Sequence, residues 1–95
     1  MIAVIAKLKV ADGKEGDFEA LIAELAKTVL EKEEGCVMYQ LCKSQQAGTY
    51  VMIERYKDQE AFGVHAQTEH FRAAVARFGE VLAGAPEIEI LTEVG

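Results

Sequence analysis

Apolar residues in this chain recur with two different periods, and the order in which those periods alternate leaves few folds open. Ile2, Val4, Ala6, Leu8 and Val10 fall at every second position, with Ala3, Ile5, Lys7 and Lys9 between them. A period of two sends alternate side chains to opposite faces of a strand. Asp12-Gly13 supplies a turn. From about Lys14 to Glu33 the spacing becomes three and four, through Phe18, Leu21, Ile22, Leu25, Val29 and Leu30. That is an amphipathic helix with one apolar stripe and a solvated face of Glu, Lys and Asp. Gly35 is placed to cap its C-terminus. Cys36 to Ser44 reads as a strand with Val37, Tyr39 and Leu41 on one side, and Gln45-Gln46-Ala47-Gly48 has the polarity of a hairpin loop. Thr49 to Tyr56 follows, with Thr49, Val51, Ile53 and Arg55 on one face and Tyr50, Met52, Glu54 and Tyr56 on the other. Asp58 can cap a short helix over 59–66, and Thr68 a longer one from Glu69 to about Ala83 with Phe71, Val75, Phe78 and Leu82 as its apolar face. Gly84 and the only proline, Pro86, end it, and Glu87 to Val94 alternates as a last strand.

The order β-α-β-β-α-β predicts an α+β fold of the ferredoxin-like kind, an antiparallel sheet with helices on one face. Right-handed crossovers give the strand order 4-1-3-2. The 95 residues make one domain, spanning 1–95. The third strand is apolar on both sides, at Val51 and Ile53 as well as Tyr50 and Met52, and in the first strand Ile5 stands opposite Val4 and Ala6. A half-solvated sheet alternates more cleanly. Helices of the same chain can cover only one face, so the expectation is a homodimer that packs the other sheet face against a second copy. A hydrophobic content of 51% in so short a chain fits an additional buried surface.

The formal net charge is −6, and no run of Lys and Arg interrupts it. Nucleic acid recognition needs a basic stripe, so that class is set aside. No apolar run approaches the ~20 residues that span a bilayer, and the alternating N-terminus reads as a strand rather than a leader. A cytoplasmic protein with no membrane partner is the expectation. Cys36 and Cys42 lie six positions apart on one strand, about 20 Å at ~3.3 Å per residue, too far for a disulfide. No Cys/His cluster has metal-ligand spacing, so no metal site is expected.

Proton-transfer chemistry concentrates in one stretch: Glu54-Arg55-Tyr56-Lys57-Asp58, then Phe62, His65 and Thr68-Glu69-His70-Phe71. Both histidines of the chain are here. His65 lies two turns inside the short helix; it is either satisfied by a backbone carbonyl or a general acid–base group, since imidazole titrates near neutrality. His70 is five residues on. A continuous helix would rotate the two rings about 500° apart, and the turn near Gln67-Thr68 leaves their relation open. At a helix start the dipole favours a neutral imidazole. Glu54, among Tyr50, Met52 and Tyr56, needs a partner such as Lys7 or Lys43, or a raised pKa. Met38 and Met52 read as core fillers, Arg72 and Arg77 as solvated.

Several of these segments together resemble the antibiotic biosynthesis monooxygenase family. They are the opening Ile2-Ala3-Val4-Ile5-Ala6-Lys7-Leu8-Lys9-Val10; Glu33-Glu34-Gly35-Cys36 ahead of a strand with Tyr39; Glu54 to Asp58 ahead of Ala61-Phe62 and His65; and Thr68-Glu69-His70-Phe71. The resemblance covers essentially the whole chain and looks closest to small bacterial members of the quinol monooxygenase and autoinducer-2-phosphate isomerase types. It implies a dimeric α+β barrel with a pocket between sheet and helices. It also implies oxidation of a quinol or polyphenol by molecular oxygen with no cofactor, because a delocalised aromatic anion can itself pass an electron to O₂. His65 is then the expected base and Glu54 the group that orients it or the substrate. His70, Tyr56, Tyr50 and Phe71 are the expected substrate-binding residues. The chain has no Asn and no Trp, which departs from the haem-degrading branch, and Tyr56 stands where the family carries a tryptophan at the end of the third strand. Two other readings stand beside this one: an isomerase shuttling protons on a small, phosphorylated or plain carbonyl compound, and a dimeric binding module without turnover.

Overall fold

In the computed structural model, which describes residues 1–95, strand β1 (Ile2–Lys9) runs through the middle of the sheet. It pairs antiparallel with β3 (Thr49–Tyr56) on one side and with β4 (Glu87–Thr92) on the other. β2 (Cys36–Lys43) pairs with β3 and completes the sheet in the order β2-β3-β1-β4, the expected 4-1-3-2 counted from the opposite edge. Helices α1 (Glu15–Lys32), α2 (Gln59–Gln67), α3 (Glu69–Val75) and α4 (Phe78–Val81) complete the chain. The architecture is ferredoxin-like α+β.

The period-two residues of β1, Ile2 through Val10, are all buried, and so are Tyr50, Met52, Glu54 and Tyr56 of β3. Phe18, Leu21, Ile22, Leu25 and Val29 of α1 pack onto them, and the Phe18 and Tyr50 rings meet at 5.0 Å between centroids. On the opposite sheet face Ile5 and Ile53 pair across the strands, half-buried.

Four local expectations are corrected. A β-bulge at Val37 inserts an extra residue against β3, so Cys36 and Tyr39 both turn inward while Val37 and Met38 are exposed. Met38 is therefore not a core filler. The helix from Glu69 does not continue to Ala83. It stops at Val75, and after α4 the chain is extended at Leu82, which bridges to Val10, while the Ala83 amide donates to the Lys9 carbonyl. Pairing with the end of β1 is incompatible with helix there. Gly35 has no left-handed backbone and is not the cap of α1; Glu33 is. Its role is close approach, because a Cβ at Gly35 would stand 2.5 Å from the Cβ of Ala61 on α2. Glu54 finds neither lysine: Lys43 pairs with Glu19, and Lys7 points to the opposite face.

Candidate active site

Three capping interactions aim the site. Asp58 accepts a hydrogen bond from the Ala61 amide at 2.8 Å and starts α2. Thr68 both ends α2 and begins α3: its hydroxyl donates to the His65 carbonyl at 2.8 Å and accepts from the Phe71 amide at 3.3 Å. Thr68 itself is extended, so α2 and α3 meet at a corner rather than forming one rod. That corner removes the rotation that would have separated His65 from His70. Contact between Gly35 and Ala61 meanwhile brings α2 against the C-terminal end of α1.

Both imidazoles converge there on one carboxylate. Nδ1 of His65 lies 2.9 and 3.0 Å from the two Glu33 oxygens, and Nε2 of His70 lies 2.5 Å from Oε2. The Glu33 side chain is 6% exposed, His65 2% and His70 18%. Desolvation holds the His65 pKa below its usual value, against the opposing pull of Glu33. Glu33 was not among the residues singled out from sequence. Its only signal was its place in Glu33-Glu34-Gly35, just before a strand; nothing local marks it as buried.

Inside this wall is an apolar cavity of about 200 Å³ bounded by β1, β3, α2 and α3. His65 and Glu54 both line it, along with Phe62, Phe71, Tyr39 and Met52. The Phe71 ring is 4.5 Å from His65, and Phe62 stacks near it at 6.3 Å. Glu54 accepts a hydrogen bond from the Tyr56 hydroxyl at 2.7 Å. Burial pushes the Glu54 pKa up to about 7, with the Tyr56 hydrogen bond opposing and the Glu33 charge adding to it. Pro86 and Ile88 also line it, and Ile88 is 59% exposed.

The six residues expected to form the site thus fall in three places. His65, Glu54 and Phe71 line the cavity. Tyr56 and His70 stand behind its wall, the first holding Glu54 and the second holding Glu33. Tyr50 lies apart; its hydroxyl donates to Glu19, and it borders a surface groove with Leu30 and Lys43. Phe62 and Tyr39, not among the six expected site residues, are cavity walls. No group of three His, Cys, Asp or Glu side chains is arranged to hold a metal ion. Cys36 and Cys42 are free, and burial raises the Cys36 thiol to about 11. No helix is long and apolar enough to cross a membrane.

Residues 1–77 match the model of the antibiotic biosynthesis monooxygenase family. A Bacillus subtilis protein named "Putative monooxygenase YcnE" is 35% identical over 99% of this chain and 98% of its own. A Mycobacterium tuberculosis protein, Rv0793, with the same kind of name, is 29% identical over 95% of this chain and 88% of its own. A Caulobacter crescentus crystal structure, provisionally described as an antibiotic biosynthesis monooxygenase, superposes with a TM-score of 0.95 at 41% identity. It is matched over 99% of this chain and 90% of that one. These likenesses support a monooxygenase-type function at the level of the family.

Proposed function

The chain belongs to the antibiotic biosynthesis monooxygenase family, and from that premise we propose that it oxidises a small quinol or polyphenol-type aromatic with O₂, without metal or organic cofactor. One observation carries this reading: a base held by a buried carboxylate, His65 on Glu33, faces a small apolar cavity that it shares with Glu54. Apolar cavities of roughly 150 Å³ take up benzene, so about 200 Å³ fits one substituted ring. It is smaller than the ~300–1,000 Å³ usual for drug-sized ligands and cofactors. His65 is the base that takes the phenolic proton, and Glu54, near its own pKa at neutral pH, accepts from or donates to a second hydroxyl. Little solvent stabilises the resulting anion, which makes it a stronger reductant towards O₂. The reaction balances with no other reagent: one hydroquinone and one O₂ yield one hydroxyquinone and one water, the substrate supplying every electron that O₂ takes up.

Oxygen uptake by the metal-stripped protein against a panel of hydroquinones and catechols tests this. Uptake above autoxidation, abolished in His65→Ala, is the expected result; no uptake across the panel refutes it. A second reading has its own observation. Two proton-handling groups in one cavity, His65 and Glu54, also suit an isomerase on a small carbonyl compound, which needs an acid and a base but no O₂. A phosphorylated substrate is disfavoured, because no Lys or Arg lines the cavity.

We also propose that the working unit is a homodimer through the sheet face that carries Ile5 and Ile53. That face holds Ala3, Ile5, Val51 and Ile53, half-buried with no helix over them. Contiguous apolar surface of this kind marks an association site.

A further inference from the structure

One hydroquinone and one O₂ give hydroxyquinone and water with no net release of protons. A proton that leaves the cavity to free the phenolate must therefore return when water forms, and a bound aromatic ring blocks the way through the cavity. Glu54 offers no exit, since its partner Tyr56 is fully buried. His65 does. No buried side-chain nitrogen or oxygen lacks a hydrogen-bond partner, yet both bonds of the His65 ring are made by Nδ1. Its Nε2 therefore keeps access to open space, and the space beside it is the cavity. On the other side of the ring, Glu33 joins Nδ1 of His65 to Nε2 of His70. His70 borders two surface grooves, one with Glu24 and Arg77, the other with Lys32, Lys57 and Asp58.

We propose that His65, Glu33 and His70 form a proton relay that carries the substrate's proton from the cavity to solvent between α1 and α3 and returns one when water forms. The inference rests on the reading of His65 as the cavity base. The substrate O–H bond breaks as Nε2 of His65 takes the proton. The proton on Nδ1 passes to Glu33, Glu33 passes one to Nε2 of His70, and the proton on Nδ1 of His70 leaves to water or buffer. No electron changes hands. When water forms, a proton from solvent enters at Nδ1 of His70 and the same steps run in reverse. Nε2 of His65 gives its proton to the departing oxygen, so both imidazoles regain their starting tautomers. Each imidazole meets a different atom pairing on one carboxylate, which is a hydrogen-bonded chain and not a set of donors converging on a cation. Glu33 has no Lys or Arg partner to pin its charge, so a proton can rest on it in passing. His65 is bonded to Glu33, packs against the Tyr39 and Tyr56 rings and shares the cavity with Glu54. Around His70 stand Glu33, with Glu24 and Arg77 in one groove and Lys32, Glu34, Lys57, Asp58 and Glu60 in the other.

Two variants and two readouts test the relay. His70→Gln keeps a hydrogen bond to Glu33 but cannot shuttle a proton; His70→Ala removes both. On a substrate that the wild type turns over, both variants are expected to lose about 10- to 100-fold in kcat at low buffer concentration with KM unchanged. Free imidazole is expected to restore the rate. A kcat that is unchanged in His70→Gln, or a loss that imidazole does not relieve, overturns the relay. The second readout needs no turnover: side-chain ¹⁵N NMR of the histidines across pH. A His65 titration that moves when residue 70 becomes Gln supports the relay. A His65 titration that ignores residue 70 overturns it. Should no aromatic be oxidised by the wild type, the proposed activity fails by itself and the NMR result still decides the relay.

Discussion

Replacing Glu54 by Gln should make the protein more stable, and only above a defined pH. The carboxyl is buried, and its pKa rises from 4.5 to about 7 on folding, chiefly because burial penalises the charged form. Between those values the folded state binds more protons at this site than the unfolded state. Stability from this group is thus complete below pH 4.5 and is lost as pH rises to about 7. At 1.36 kcal/mol for each pH unit of separation, the loss is about 3 kcal/mol. Gln is nearly isosteric, carries no charge, and keeps an oxygen to accept the Tyr56 hydroxyl. Thermal unfolding of wild type and Glu54→Gln, followed from pH 5 to 8.5, is the assay. All other titrating groups are common to both proteins, so the difference between the two curves isolates Glu54. The curves should nearly coincide at the acid end and separate towards neutrality. Above pH 7 the gap should reach roughly 12–24 °C, at about 4–8 °C for each kcal/mol in a domain of this size. Parallel curves, or a variant that is less stable at pH 8, would refute the reasoning. Because a buried group with a shifted pKa also serves acid–base chemistry, the same variant should lower turnover of any substrate that engages Glu54.

Two further outcomes follow from packing. Gly35→Ala puts a methyl 2.5 Å from the Ala61 Cβ, so it should cost about 1–3 kcal/mol and push α2 away from Glu33. The readouts are a lower melting temperature together with a shifted His65 ¹⁵N resonance, and a variant that matches wild type in both would show the close approach to be unimportant. Ile53→Glu places a charge on the uncovered sheet face opposite Ile5. Sedimentation should then give a monomer with an unchanged circular dichroism spectrum, while wild type sediments as a dimer at micromolar concentration. A monomeric wild type removes the dimer.

Periodicity carried the fold because it reports burial, and burial is what a sheet and an amphipathic helix have in common. It failed where a single residue changed phase. Val37 is one extra residue in β2, and an alternating pattern read through it assigns Val37 and Tyr39 to one face when the bulge has turned Cys36 and Tyr39 inward. It failed again at Leu82 and Ala83, both good helix formers. Leu82 and Ala83 bond instead to Val10 and Lys9 at the end of β1, partners more than 70 positions away. No local propensity encodes a tether of that range.

The site divides along the same line. His65 and Glu54 could be picked out because their residue types are rare on apolar faces, and the cavity holds both. Tyr50 shares their sheet face but sits four residues from Glu54, about 13 Å along the strand, and so belongs to the far end with Phe18 and Glu19. Glu33 escaped notice for a different reason. It ends a helix whose exposed face is rich in acids, so by composition it is one more solvated glutamate. What distinguishes it is contact with residues 32 and 37 positions later. Those contacts exist because Gly35 lets α2 approach and Thr68 turns the chain between the two histidines. Neither glycine nor threonine touches the cavity, yet each is needed to place an imidazole on the carboxylate. The chemistry of this small domain therefore depends on two residues whose functional value is purely geometric, and only a three-dimensional arrangement reveals it.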